Sequence, residues 1–152
     1  SAIIKKGEIS TQRKTNFKLP NTTERKGLVT SRVGQGYYRQ QIIEKWEGVC
    51  PISKIDIISI LISSHILSWS ESSDAERLDV ENGILLSPLY DALFDKHLIS
   101  FEDNGKIIIS NKLSEDNINK AKLSQDIIIN ITEGMKKYLM IHREKLRMEE
   151  SK

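Results

Sequence analysis

Apolar positions fall along this chain in blocks whose spacing changes from one block to the next. Residues 1 to 31 interleave Thr, Asn and Lys with only short apolar pairs, which predicts an arm or linker with little core of its own. From Gln35 the pattern changes: Tyr37, Tyr38, Ile42, Ile43 and Trp46 recur three to four residues apart, as on one side of an amphipathic helix, and Gly48 supplies a C-terminal stop. Arg39 and Lys45 fall on the polar side of that helix. The stretch Ile60 to Ile66 is rich in Ile and Ser and predicts a short strand that delivers His65 at its end.

A polar loop, Ser68 to Glu81, follows the strand, and Asn82 opens a second apolar segment. Pro88 suits the first turn of a helix through Leu89, Tyr90, Leu93 and Phe94, because that position loses no hydrogen bond the helix needs. The runs Leu98 to Phe101 and Lys106 to Ile109 flank Asn104-Gly105, the strongest short-range signal of a β-hairpin. Ser114 with Asn117 predicts a short helix, Ile127 to Ile131 a further short strand, and Thr132 to about Arg147 a longer helix with Met135, Leu139 and Leu146 on one side. No internal repeat is visible.

With 152 residues, 38% of them hydrophobic, the chain can bury one sizeable core, so the expectation is one α+β domain with an arm. The net charge of +2 hides an uneven distribution. Residues 1–31 carry Lys5, Lys6, Arg13, Lys14, Lys18, Arg25 and Lys26 against Glu8 and Glu24, whereas residues 71–95 carry Glu71, Asp74, Glu76, Asp79, Glu81, Asp91 and Asp95 against Arg77 alone. That split suits a polyanion-gripping element beside a cation-binding one, although solvated surface explains such runs more often. The single cysteine, Cys50, excludes an internal disulfide and any Cys-paired zinc site, so no structural zinc is expected. No apolar run reaches membrane-span length, the longest being Ile57 to Leu67, and no secretory signal is visible. The chain opens on Ser1-Ala2 without Met, which leads us to expect an excised fragment with room for a partner domain upstream.

The most informative chemistry is a constellation: Ser63-Ser64-His65-Ile66, then Asn82 seventeen residues after His65, then Asp91 nine residues after Asn82. It resembles the HNH endonuclease motif. The stretch Arg32 to Arg39, the segment Cys50-Pro51-Ile52, the pair Phe94-Asp95 with the following hairpin, and His142-Arg143-Glu144 are similar to an HNH subgroup found in bacterial restriction and defence nucleases. The resemblance spans roughly Arg32 to Arg147, which sets a division into an arm at 1–31 and an HNH domain at 32–148.

The resemblance implies a ββα-metal (His-Me finger) core with flanking helices, and metal-dependent hydrolysis of DNA phosphodiesters in the prokaryotic cytoplasm. It assigns His65 as general base, Asn82 as the residue that braces the loop, and Asp91 as the helical ligand of Mg²⁺ or Mn²⁺. A histidine suits the first role because its unperturbed pKa lies near working pH, and oxygen donors suit a hard cation. Ser64 stands where many HNH sites have a second metal-binding Asp, so the Ser64 hydroxyl, Asp95 or a backbone carbonyl is left to complete the shell.

Arg32, Arg39, Arg77 and the arm's Lys14, Lys18 and Lys26 form the candidate phosphate-contacting set, positioning DNA without reading its sequence. For Arg77 a loop-bracing salt bridge is an equal alternative. Tyr37, Tyr38 and Trp46 read as core, and His97 and His142 as structural or exposed. Two rival functions stay open. One is a catalytically silent nucleic-acid-binding module, and the other is an oligomerising domain whose helix from Thr132 to Arg147 mates with a homodimer partner or another subunit.

Overall fold

The computed structural model describes residues 32–152 and shows a mixed α+β architecture. The expected arm at 1–31, with Lys14, Lys18 and Lys26, lies outside the described residues. Helix α1 (Arg32–Lys45) buries Tyr38, Ile42 and Ile43, the side that the apolar spacing marked. It stops where Glu47 and Gly48 both turn left-handed, φ 57° and 72°, and the Gly48 N–H donates back to the Ile43 carbonyl at 2.9 Å. This is a Schellman closure in which Glu47 takes the left-handed C′ position and Gly48 follows it.

Strands β1 (Ile62–His65) and β2 (Gly83–Leu86) pair antiparallel, with Ser64 opposite Ile84 and His65 opposite Gly83. Every residue of β2 is buried, which requires cover on both faces of the pair. α1 supplies one cover and α3 (Pro88–Asp95) the other. Since neighbouring strand residues point to opposite faces, Ser63 and His65 look toward α1 while Ser64 looks toward α3. Between the strands runs the loop that sequence alone left featureless. It holds a 3₁₀ turn at Trp69–Glu71 and one turn of helix, α2 (Asp74–Arg77), started by a capping box in which Ser73 Oγ accepts from Glu76 N and Ser73 N donates to the Glu76 carboxylate.

β3 (Ile99–Phe101) and β4 (Ile107–Ile109) form the expected hairpin, closed by Gly105 at φ 89°. The stretch 127–131, expected as a strand, makes only an isolated bridge, Lys106 to Ile128, because just two hydrogen bonds tie it to the chain around β4. α4 (Glu115–Lys120) is capped by Ser114 as expected. The last helix, α5 (Lys136–Glu150), follows a 3₁₀ turn at Glu133–Met135 and lays Tyr138, Leu139, His142 and Leu146 against β3 and its surroundings. Among the described residues no helix is long and apolar enough to cross a membrane.

Candidate functional site

The loop between β1 and β2 is held from inside by Asn82, whose side chain is fully buried. Its Oδ1 accepts the Leu67 N–H at 2.8 Å, while Nδ2 donates to the Glu76 carbonyl at 3.0 Å and to Ser72 Oγ at 3.3 Å. One amide therefore ties the loop's entry, middle and exit together, a task that needs both a donor and an acceptor on one short side chain. Its backbone carbonyl accepts from Ile66 N and from the Tyr38 hydroxyl.

That loop in turn fixes His65. The His65 Nε2 lies 2.9 Å from the Arg77 carbonyl. A carbonyl only accepts, so Nε2 carries the proton, and in the neutral ring Nδ1 is left as the acceptor. Burial lowers the His65 pKa below its ordinary value, and the Arg77 charge adds to the effect, outweighing the opposite influence of the Arg77 carbonyl. The imidazole is therefore a neutral base at pH 7. The Tyr38 ring stacks on it with centroids 4.1 Å apart and planes 8° from parallel, and the Trp69 ring stands edge-on at 5.7 Å. His65, Ser63, Gln35, Tyr38, Trp69 and Arg77 line a cleft of about 250 Å³.

On the opposite face of β1, Ser64 is buried and its hydroxyl donates to Asp91 Oδ1 at 2.5 Å. Asp91 sits half-buried in the first turn of α3, where Pro88 at the helix start and the buried Tyr90 and Phe94 fix its direction. Asp95, one turn further along α3, is exposed. Asp91, Ser64 and Asp95 thus offer oxygen donors only, and among the described residues no group of three or more His, Cys, Asp or Glu side chains converges.

The basic candidates fare differently from one another. Arg77 is tied down by its Nε–H to the Trp69 carbonyl at 2.8 Å, an ion pair with Asp74 at 3.5 Å and a position 4.6 Å over the Trp69 ring. It braces the loop and still borders the cleft. Arg39 spends two N–H groups on the Leu61 and Ile58 carbonyls, 2.6 and 2.7 Å away, and so anchors the turn that leads into β1. Arg32 opens α1. His142, expected as structural or exposed, is buried between the Ser100 hydroxyl and the Phe94 carbonyl, both 2.8 Å from its ring nitrogens. Its neighbour Arg143 bonds to the Phe101 carbonyl and pairs with Asp103.

Tyr38, Trp69 and Gln35 border the cleft although sequence alone did not nominate them for a site. Tyr38 carried the apolar spacing of a core residue, and no local pattern distinguishes a tyrosine that stacks on a distant histidine from one that fills a core.

Residues 50–102 match the HNH endonuclease family. The match begins at Cys50 and ends just past β3, so it contains His65, Asn82, Asp91 and the whole intervening loop. Members of the family are nucleases that act on DNA. No curated protein matches the chain closely enough to count as a relative.

Proposed function

Taking residues 50–102 as an HNH endonuclease segment, we propose that the chain hydrolyses DNA phosphodiester bonds with the help of a divalent cation, on a ββα-metal core formed by β1, β2 and α3. The observation that carries this reading is the state of His65: a neutral imidazole with Nε2 occupied by the Arg77 carbonyl and Nδ1 left as the acceptor, at the edge of a cleft. In the reaction, Nδ1 takes a proton from water, the hydroxide attacks phosphorus in line, and the bond from phosphorus to the 3′ oxygen breaks. The departing 3′ oxygen takes a proton from a solvent water, and a 5′-phosphate and a 3′-hydroxyl result.

Asp91, Ser64 and Asp95 offer oxygen donors of the kind Mg²⁺ or Mn²⁺ takes, since Mg²⁺ keeps several waters and binds through one or two carboxylates plus substrate phosphates. They lie on the face of β1 opposite the His65 cleft, so the reading requires the scissile phosphate to span the end of the strand between them. Once bound, the cation stabilises charge on the phosphoryl and departing oxygens. Asp91 offers the carboxylate, held in direction by the Ser64 hydroxyl, and Asp95 lies one turn along the same helix. Asn82 keeps the loop, and with it the Arg77 carbonyl, at the distance His65 requires. Arg77 borders the cleft and is the nearest candidate for a phosphate contact; Arg32, Arg39, Lys14, Lys18 and Lys26 are candidates by charge alone. A bacterial restriction or defence setting accounts for a nuclease of this subgroup.

Plasmid nicking tests the reading directly, in Mg²⁺, Mn²⁺ and EDTA, on methylated and unmethylated DNA. The expected result is metal-dependent nicking by the native chain, with His65→Ala inactive but still bound to DNA. Cleavage that survives in His65→Ala removes the mechanism. A second reading, a nucleic-acid-binding module without catalysis, draws on Ser64, whose hydroxyl occupies the place of a second acid and already engages Asp91. It predicts DNA retention with no nicking in any metal.

A further inference from the structure

Helix α1 lies outside the segment that matches the nuclease family, yet two of its residues, with Trp46 just past its end, close on a single rung of the β1–β2 pair. That rung is His65 opposite Gly83. A Cβ on Gly83 would fall 2.1 Å from the Tyr38 hydroxyl oxygen and 2.5 Å from Ile42 Cδ1, and the Gly83 carbonyl accepts from Trp46 Nε1 at 3.1 Å. Position 83 is thus a glycine because Tyr38 and Ile42 occupy the space a side chain needs. Tyr38 and Ile42 are spaced i, i+4 on α1, and Trp46 follows four residues on, just past the helix end, so one side of this segment is keyed to the rung that carries His65.

Tyr38 is bound at both ends. Its ring lies parallel to the His65 imidazole, 4.1 Å between centroids, while its hydroxyl donates to the Asn82 carbonyl at 2.8 Å. The residue is 4% exposed, so the ring has no room to turn aside. The Arg77 carbonyl fixes one point of the imidazole, which leaves rotation of the ring about that point. A parallel aromatic face removes that freedom, because only one ring plane keeps the contact.

We infer that Tyr38 is a positioning residue for His65: its stacked ring holds the imidazole plane so that Nε2 meets the Arg77 carbonyl and Nδ1 keeps one direction. As a role in turnover this rests on the nuclease reading above; as a statement about the imidazole it stands by itself. The 50–102 segment therefore lacks a part of its own site, which α1 supplies.

Two variants separate the ring from the hydroxyl. Tyr38→Phe keeps the stack and loses the bond to the Asn82 carbonyl, whereas Tyr38→Leu keeps an apolar side chain and loses the stack. Long-range ¹H–¹⁵N spectra of the whole chain report the His65 tautomer without reference to activity. Native protein and Tyr38→Phe are expected to show one neutral tautomer, protonated at Nε2, and Tyr38→Leu a mixture of both. In nicking assays corrected for folded fraction, Tyr38→Leu should lose roughly tenfold or more in kcat with KM for DNA little changed, since small misplacements of a reacting group cost up to about a hundredfold. Tyr38→Phe should retain most of the native kcat. A single Nε2–H tautomer in folded Tyr38→Leu overturns the inference, and so does a Tyr38→Phe variant whose tautomers mix as freely as those of Tyr38→Leu. A native chain that shows the expected tautomers but never nicks DNA leaves the positioning intact and removes only the nuclease reading.

Discussion

Asn82→Ala is the perturbation whose cost the structure allows to be worked through group by group. The substitution frees three partners, but two of them have others. Ser72 Oγ still donates to the Leu67 and Ser68 carbonyls, and the Glu76 carbonyl still accepts from Asp79 N at 3.3 Å. The Leu67 N–H is left with nothing, because Asn82 Oδ1 is its acceptor and the site is buried. An orphaned buried donor costs about 1–3 kcal/mol, and the lost bonds to Ser72 and Glu76 add roughly 1 kcal/mol together. The sum is about 2–4 kcal/mol, or a fall in Tm of about 5–12 °C for a domain of this size. Urea unfolding followed by circular dichroism measures it. Amide exchange should accelerate first at Leu67 and across the loop to Glu81, ahead of β2, because the loop opens before the strands separate. A loss within about 0.5 kcal/mol, the usual range for inconsequential surface changes, with loop exchange unaltered, would refute the bracing role assigned to this amide.

Ser64→Asp places a second carboxylate against Asp91 in a buried position, so the variant should be less stable than the native chain in EDTA and regain stability on addition of Mn²⁺; an equal response to Mn²⁺ in native chain and variant would remove these residues from the proposed metal shell. His142 has a pKa lowered from its ordinary value to about 3, chiefly by burial, with the His97 charge next. The unfolded chain therefore takes up its proton first, and stability should fall as pH drops through 6.5 toward 3, by at most about 2 kcal/mol between pH 6.5 and 5. His142→Gln should flatten that slope in urea titrations at the two pH values, and an unchanged slope would mean another group is responsible. Gly105→Ala forces a side chain onto φ 89° and puts Cβ 1.8 Å from the Ile129 carbonyl oxygen, so a loss of about 2–4 kcal/mol is expected in thermal melts, against only the backbone strain of about 1–2 kcal/mol if that carbonyl moves freely. For the proposed nuclease activity, burial holds the His65 pKa below its ordinary value, so the rate should already be level at pH 7 and fall only below pH 6.5; an acid limb above pH 7 would contradict a neutral, buried base.

Much of the local architecture was legible in the sequence. The 3.6-residue spacing of Tyr38 and Ile42, the proline at the start of α3, Asn104-Gly105 between two β-branched runs and the Ser114 cap each act over a few residues, and the elements they specify formed where expected. Periodicity is a property of neighbouring residues, so it survives without knowledge of the fold. The capping box at Ser73 and Glu76 is equally local, a Ser-x-x-Glu signature set inside a polar stretch. The run of isoleucines at 127–131 shows the opposite case: β-branched composition marks a segment that suits a sheet, but whether a ladder forms depends on a neighbour with free edge groups, and here only one bridge results.

The candidate site divides along the same line. Sequence by itself determined which residue types stand at which intervals: a histidine closing a strand, an asparagine opening the next, an acid one turn into a helix. Only the tertiary structure decided that the asparagine faces inward onto three partners, that the histidine's tautomer is set by a carbonyl twelve residues away, and that Ser64 and His65, adjacent in the chain, serve opposite faces of one strand. The physical reason is that spacing fixes direction along a backbone, whereas proton placement, burial and ring orientation depend on what arrives from elsewhere. In this chain the ring that arrives at His65 is Tyr38, from a helix 27 residues upstream.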